Sequence, residues 1–123
     1  MLWGLELYNI FSDVFVFLNL IYLIMNVQKF YVTARNIVTE VTGVGERPMI
    51  FCNRTECVDA RAILIAILLE KGMTESEIAL NMGVTPQCVN KLKNGFHIRK
   101  NRWSVLTNWQ EVRKQFNEIT TNK

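Results

Sequence analysis

Histidine occurs once in this chain and cysteine three times. Each scarcity closes off a class of chemistry. Cys52, Cys57 and Cys88 are an odd number with no repeated spacing, which is not a disulfide framework. Cys52 and Cys57 stand in C-x4-C spacing and His97 is the sole histidine, too few donors for a four-ligand zinc site. No G-x-x-x-x-G-K-[S/T] string is present to cradle phosphates. No nucleophile is paired with a base. The acids are scattered, and Asp59, Glu75 and Glu77 fall near helix starts, where they suit the helix dipole. An enzyme is therefore not expected, nor a metal, a cofactor or a small-molecule substrate. Strand patterning never exceeds a few residues, and there is no internal repeat or low-complexity tract. Asn53-Arg54-Thr55 matches the glycosylation sequon, which means little without a secretory context. The expected location is cytoplasmic.

Acidic residues are also missing where basic ones gather. Lys91, Lys93, Arg99, Lys100 and Arg102 fall within a stretch that holds no acid. The formal net charge is only +3, but the two acids of residues 1–24, Glu6 and Asp13, have no basic counterpart there, so the rest of the chain is more basic than the whole. A local cationic excess is the electrostatic footprint of a polyanion binder, and equally the mark of a well-solvated face.

Half of the residues are hydrophobic, and 123 residues suffice for one domain with a sizeable core. The apolar residues are unevenly spread. Val14 to Met25 is almost wholly apolar, interrupted by Asn19. The run is short for a membrane span, which needs about 20 apolar residues. It lacks the basic leader and small-residue cleavage site of a signal peptide. Three readings stay open for residues 1–24: a membrane anchor, an apolar helix packed on the body, or upstream DNA translated in frame. The abundance of Phe, Leu, Ile, Tyr and Asn, whose codons are AT-rich, favours the last, with Met25 as the start. The domain expected is then residues 25–123, and a membrane becomes a partner only if residues 1–24 are a genuine anchor.

Beyond that run the pattern is helical throughout. Phe30, Ala34, Ile37, Val38 and Val41 recur at helical spacing over Asn26–Thr42, with Gly43 at the C-cap. Gly43 to Glu56 reads as a partly basic loop carrying Arg47 and Arg54. Cys57–Lys71 is apolar on every side at its centre, the pattern of a helix surrounded by others, and Gly72 stops it. Thr74 and Glu77 form a T-x-x-E capping box for a helix running to Met82. Gly83 turns the chain, Thr85 caps the next helix, and Pro86 occupies N1, where its missing N–H costs nothing. That helix is expected to reach Asn94 and stop at Gly95. Trp103, Leu106, Trp109, Val112, Phe116 and Ile119 mark a core-facing stripe on a last helix, and the final Thr121-Asn122-Lys123 is expected to fray. The expected fold is an all-α small multi-helix bundle containing a helix-turn-helix.

The helix-turn-helix lies at Thr74–Gly95. Two short helices joined by a glycine turn define the unit. Ala79 gives the small residue where the helices cross. Ile78, Met82, Val84, Val89 and Leu92 supply the inner faces. The outward residues of the second helix are polar, and Gln and Asn can pair with adenine, Thr with a thymine methyl or phosphate, and Lys with guanine or phosphate. The N-terminal part of such a helix enters the major groove. Thr85, Gln87, Asn90 and Lys91 are the expected base readers, and Lys93, Arg99, Lys100 and Arg102 the expected phosphate contacts. The partner expected is double-stranded DNA. A homodimer is compatible with the unit, and the aromatic last helix could close the core or build a dimer face.

The stretch NIVTEVTGVGERPMIFCNRTECVDARAILIAILLEKGMTESEIALNMGV resembles the C-terminal DNA-binding domain of the bacterial chromosomal replication initiator, DnaA, over about residues 36–92. Ile37, Val41 and Gly43 resemble the end of the family's first helix, Asp59-Ala60-Arg61 the start of its long helix, and Glu77-Ile78 the next. The resemblance implies that Arg54, in the basic loop, and Arg61, of the Ala-Arg pair, hold DNA. Arg61 could equally be a helix-surface cation paired with Asp59 or Glu56. The family's Gly-Gly-Arg-Asp-His-Thr-Thr signature is replaced by Gly83-Val84-Thr85-Pro86-Gln87-Cys88-Val89, so the family's DNA site does not carry over. With no ATPase motif, the expectation is a free-standing, sequence-specific DNA-binding module: a regulator of transcription or replication, or an accessory protein of a mobile element. The alternative is a protein-interaction module that keeps the fold without DNA contact.

Overall fold

A computed structural model describes the backbone of residues 2–121, and within it all side chains except those of residues 2–11, 23, 24, 120 and 121. Of the tail expected to fray, Asn122 and Lys123 lie outside the described residues. Among the described residues the fold is all-α, with six helices and no strand. In order they are α1 (Leu2–Thr42), α2 (Glu46–Phe51), α3 (Thr55–Glu70), α4 (Glu75–Met82), α5 (Pro86–Arg99) and α6 (Trp103–Thr121).

The chain divides into two units, Met1–Phe30 and Tyr31–Lys123, with the boundary inside α1. In the first unit, residues 12–22 are exposed on every side. The stretch Ser12–Thr42 is long and apolar enough to cross a membrane, by length and composition only.

The second unit holds the core. Its part of α1 buries Tyr31, Ala34, Ile37 and Val38, one face at helical spacing. Tyr31 replaces the expected Phe30 and Val41, which are only half-buried. Gly43 closes the helix at φ 74°, and its N–H donates to the Thr39 carbonyl over 2.9 Å.

The expected loop at 43–56 contains α2, a correction to the sequence reading. Six residues are too few to display a period, and Pro48 hid the helix by resembling a breaker. Pro48 sits in the first turn, where its missing N–H has no intrahelical acceptor to lose. Arg35 of α1 pairs with Glu46 at the start of α2 over 2.9 Å.

Helix α3 is the centre, packing against α2, α4, α5 and α6. Ala62, Ile63, Leu64 and Ile65 are consecutive and all buried, which explains the lack of a polar face in this segment. Of the stripe on α6, Val112 and Phe116 are in the core and Leu106 and Trp109 are half-buried, whereas Trp103 is 80% exposed and Ile119 is also exposed. Trp103 is the first residue of α6, beyond the reach of the body, and Val105 takes its expected place. Phe96 of α5 meets Trp109 edge-on, with centroids 5.6 Å apart.

Candidate nucleic-acid interface

The α4–α5 unit is built as its punctuation demands. Thr74 Oγ1 accepts from the Glu77 N–H at 3.2 Å, and Glu77 Oε1 accepts from the Thr74 N–H at 3.1 Å, a closed capping box. Gly83 holds φ 72°, a left-handed conformation that favours glycine, and Val84 N–H reaches back to the Ala79 carbonyl at 3.0 Å. Thr85 Oγ1 then accepts from the Cys88 N–H at 3.2 Å, with Pro86 beside it at the helix start. Ile78, Ala79, Met82, Val89 and Leu92 are all buried, so the two helices share one apolar seam.

The four expected base readers are all exposed, Thr85 as the N-cap of α5 and Gln87, Asn90 and Lys91 on the helix itself. They are not equally available. Gln87 and Lys91 have no partner among the described residues. The Asn90 amide donates to both oxygens of Glu75, at 3.2 and 3.4 Å, and its own oxygen accepts from Asn94 at 3.0 Å. Lys93, an expected phosphate contact, is also held by Glu75, at 2.8 Å.

Glu75 therefore ties the first turn of α4 to the outer face of α5. The hydrogen bond from Lys93, and then that from Asn90, hold its carboxyl below its ordinary value of 4.5. A depressed value favours the folded state above the ordinary carboxylate range, and the contribution is lost as pH falls through the lower folded value. In a pH titration followed by NMR, the Asn90 side-chain amide should shift with a midpoint below 4.5, and Glu75→Gln should abolish the transition. A midpoint at or above 4.5 would show that the tie is not made.

The other expected phosphate contacts are dispersed. Arg99 and Arg102 converge on one acid, with Arg99 Nη1 at 3.0 Å from Asp59 Oδ1 and Arg102 Nη2 on the same oxygen. Lys100 sets its ammonium over the Trp109 ring, 5.8 Å from the centroid. Arg54 is exposed at the N-cap of α3, where its side chain makes no capping bond. With Arg47, Pro48, Phe51, Cys52 and Cys57 it lines a depression of about 680 Å³.

Arg61 departs most from expectation. It is 8% exposed, and its guanidinium faces inward, donating from Nε to the Met49 carbonyl at 2.7 Å and from Nη2 to the Cys52 carbonyl at 2.9 Å. It pairs with neither Asp59 nor Glu56. It ties the C-terminal end of α2 to α3.

Cys52 and Cys57 are free thiols. The Arg54 N–H, 3.5 Å from Cys52 Sγ, and a hydrogen bond with Cys57 push the Cys52 thiol below its ordinary range, while the bond to Cys52 and burial raise Cys57. Among the described residues no three His, Cys, Asp or Glu side chains converge as metal ligands would.

Sequence reasoning missed two acids that organise this surface. Asp59 lies some forty positions from the arginines it holds, and no local pattern announces a contact so distant. It also missed that α5 continues through Gly95 to Arg99, which is what carries Arg99 to Asp59. No family model matches the chain, and no curated protein or solved structure matches it either.

Proposed function

We propose that residues 25–123 act as a sequence-specific double-stranded DNA-binding module, a free-standing relative in kind of the replication-initiator domain, serving regulation by occupancy. One observation carries this reading. A capped helix, a left-handed glycine and a second capped helix present Gln87, Asn90, Lys91 and Asn94 on one exposed face, with Arg99 in the last turn of that helix and Arg102 just beyond it. Amide and ammonium groups on a helix are the groups that read base edges in a major groove, and the arginines suit phosphates. In this reading Gln87 and Lys91 make the first contacts because nothing in the free protein competes for them. Asn90 must leave Glu75 to follow.

A second reading is a protein-interaction module. Its support is apolar: Leu80 is 84% exposed on α4 and Trp103 80% exposed on α6. Selection of the purified full chain against a random duplex library separates the two. An enriched motif is expected for the wild type. Gln87→Ala should lose a lost bidentate pair's worth of discrimination, about tenfold or more at one base position. Salt-sensitive binding with no enriched motif would reduce the module to phosphate contacts. A folded chain that binds no duplex would end the DNA reading and favour the interaction module.

A further inference from the structure

Gly95 lies inside α5, which runs on for a further turn to Arg99. Glycine is among the least favourable residues in a helix interior, so its presence there calls for a reason. It is not a cap, because it is absent from the positive-φ glycines, Gly43, Gly72 and Gly83. Nor is it a packing site, since a Cβ placed on Gly95 would meet nothing within 4 Å. Neither backbone geometry nor internal packing accounts for it. What it does produce is an open low point on the outside of α5.

That low point is the floor of a groove of about 530 Å³ lined by Lys91, Leu92, Gly95, Ile98, Arg99 and Arg102. Its centre is apolar and its rim cationic. Lys91, Gly95 and Ile98 follow one another at i, i+4 and i+7, so they share a face of the helix. Ile98 is 65% exposed beside the glycine. Lys91 has no partner among the described residues. Arg99 and Arg102 are held in place by Asp59, yet each spends one N–H on it out of the five a guanidinium carries. The arginines are thus positioned without being saturated.

We propose that this groove seats a sugar–phosphate strand of duplex DNA, with Gly95 as its point of closest approach to the helix backbone. The inference rests on the DNA-binding reading above and adds where the duplex backbone lies. Deoxyribose packs on Gly95 and Ile98, and the flanking phosphates fall to Arg99 and Arg102, while Lys91 at the groove's edge keeps the base-reading role given to it above. The alternation of an apolar sugar with an anionic phosphate matches an apolar floor within a cationic rim. An acidic amphipathic peptide fits less well. Such helices dock through several apolar anchors at i, i+3, i+4 and i+7, and the floor offers Ile98 as its one exposed large apolar side chain.

The test uses the full chain, a fluorescently labelled mixed-sequence duplex of about 30 base pairs and salt near 50 mM, where phosphate contacts dominate. Gly95→Ala is expected to raise the urea midpoint of unfolding, because it removes a helix-interior glycine from a site with room for a methyl group. The same substitution should weaken duplex binding about tenfold, the scale of losing a phosphate contact or more, and Gly95→Leu should weaken it further. A more stable protein that binds less well is a pairing no folding defect produces. Wild type that binds while Gly95→Ala binds equally well would overturn the groove and leave the DNA reading standing. A Gly95→Ala chain less stable than wild type would give the glycine a packing role and overturn the inference. Wild type that ignores the duplex but captures an acidic amphipathic peptide would overturn both.

Discussion

Arg61→Ala is expected to destabilise the second unit by about 3 kcal/mol, the scale of two hydrogen bonds from a charged donor. Arg61 donates to two backbone carbonyls, Met49 and Cys52, at 2.7 and 2.9 Å from a buried position. Both carbonyls lie at the C-terminal end of α2, where a helix leaves its last acceptors without intrahelical donors. A helix of six residues has little cohesion of its own, so it is held by the buried Met49 side chain and by the guanidinium that joins it to α3. Removing it leaves the carbonyls without a donor and opens a gap where the side chain lay. Thermal unfolding followed by circular dichroism should show a fall of roughly 10–15 °C for a loss of that size. Arg61→Lys should recover less than half of it, because a single ammonium cannot reproduce the fixed two-pronged geometry. The resemblance to the replication initiator implies something different, namely a DNA contact. An Arg61→Ala chain that keeps its melting temperature and loses duplex affinity would favour the resemblance over the geometry.

Phe116→Ala should cost about 4 kcal/mol, in the range of large aromatic truncations in a core. Phe116 is 1% exposed, and the Lys71 ammonium sits over its ring at 5.6 Å, joining the end of α3 to α6. Trp103, on the same expected stripe, should cost under about 0.5 kcal/mol when replaced by alanine, because it is already in solvent. Urea denaturation of the two variants side by side is the measurement. Equal losses would mean that the stripe docks along its whole length, contrary to the exposure of Trp103.

These two residues also show what a sequence can and cannot convey. Thr74, Glu77, Gly83, Thr85 and Pro86 were legible because each acts on neighbours within a few positions, through a cap or a turn. Their hydrogen bonds and dihedral angles lie where that chemistry places them. The burial of α3 was legible because no polar face breaks its centre. Gly95 was misread because the same residue that ends helices is tolerated within one, and only the surroundings decide which applies. For Arg61, the reading as a surface cation paired with Asp59 or Glu56 failed for a related reason. Its partners are backbone carbonyls, which carry no sequence signature. Asp59 with Arg99 and Arg102 needed the folded chain to bring distant segments together. The candidate base readers were legible as an exposed polar row, but their engagement with Glu75 was not.

The pairing of cations with Glu75 and Asp59 has a thermodynamic consequence. Lys93, Arg99 and Arg102 have carboxylates of the protein itself as counterions, fixed to its own helices at a partly exposed surface. A polyanion meeting this surface competes with a carboxylate for Lys93 and shares Arg99 and Arg102 with one, whereas Lys91 and Arg54 have no carboxylate partner among the described residues. Counting basic side chains therefore overstates the number of ions that association returns to solution. The surface trades part of its sensitivity to ionic strength for a sensitivity to whatever repositions two acids.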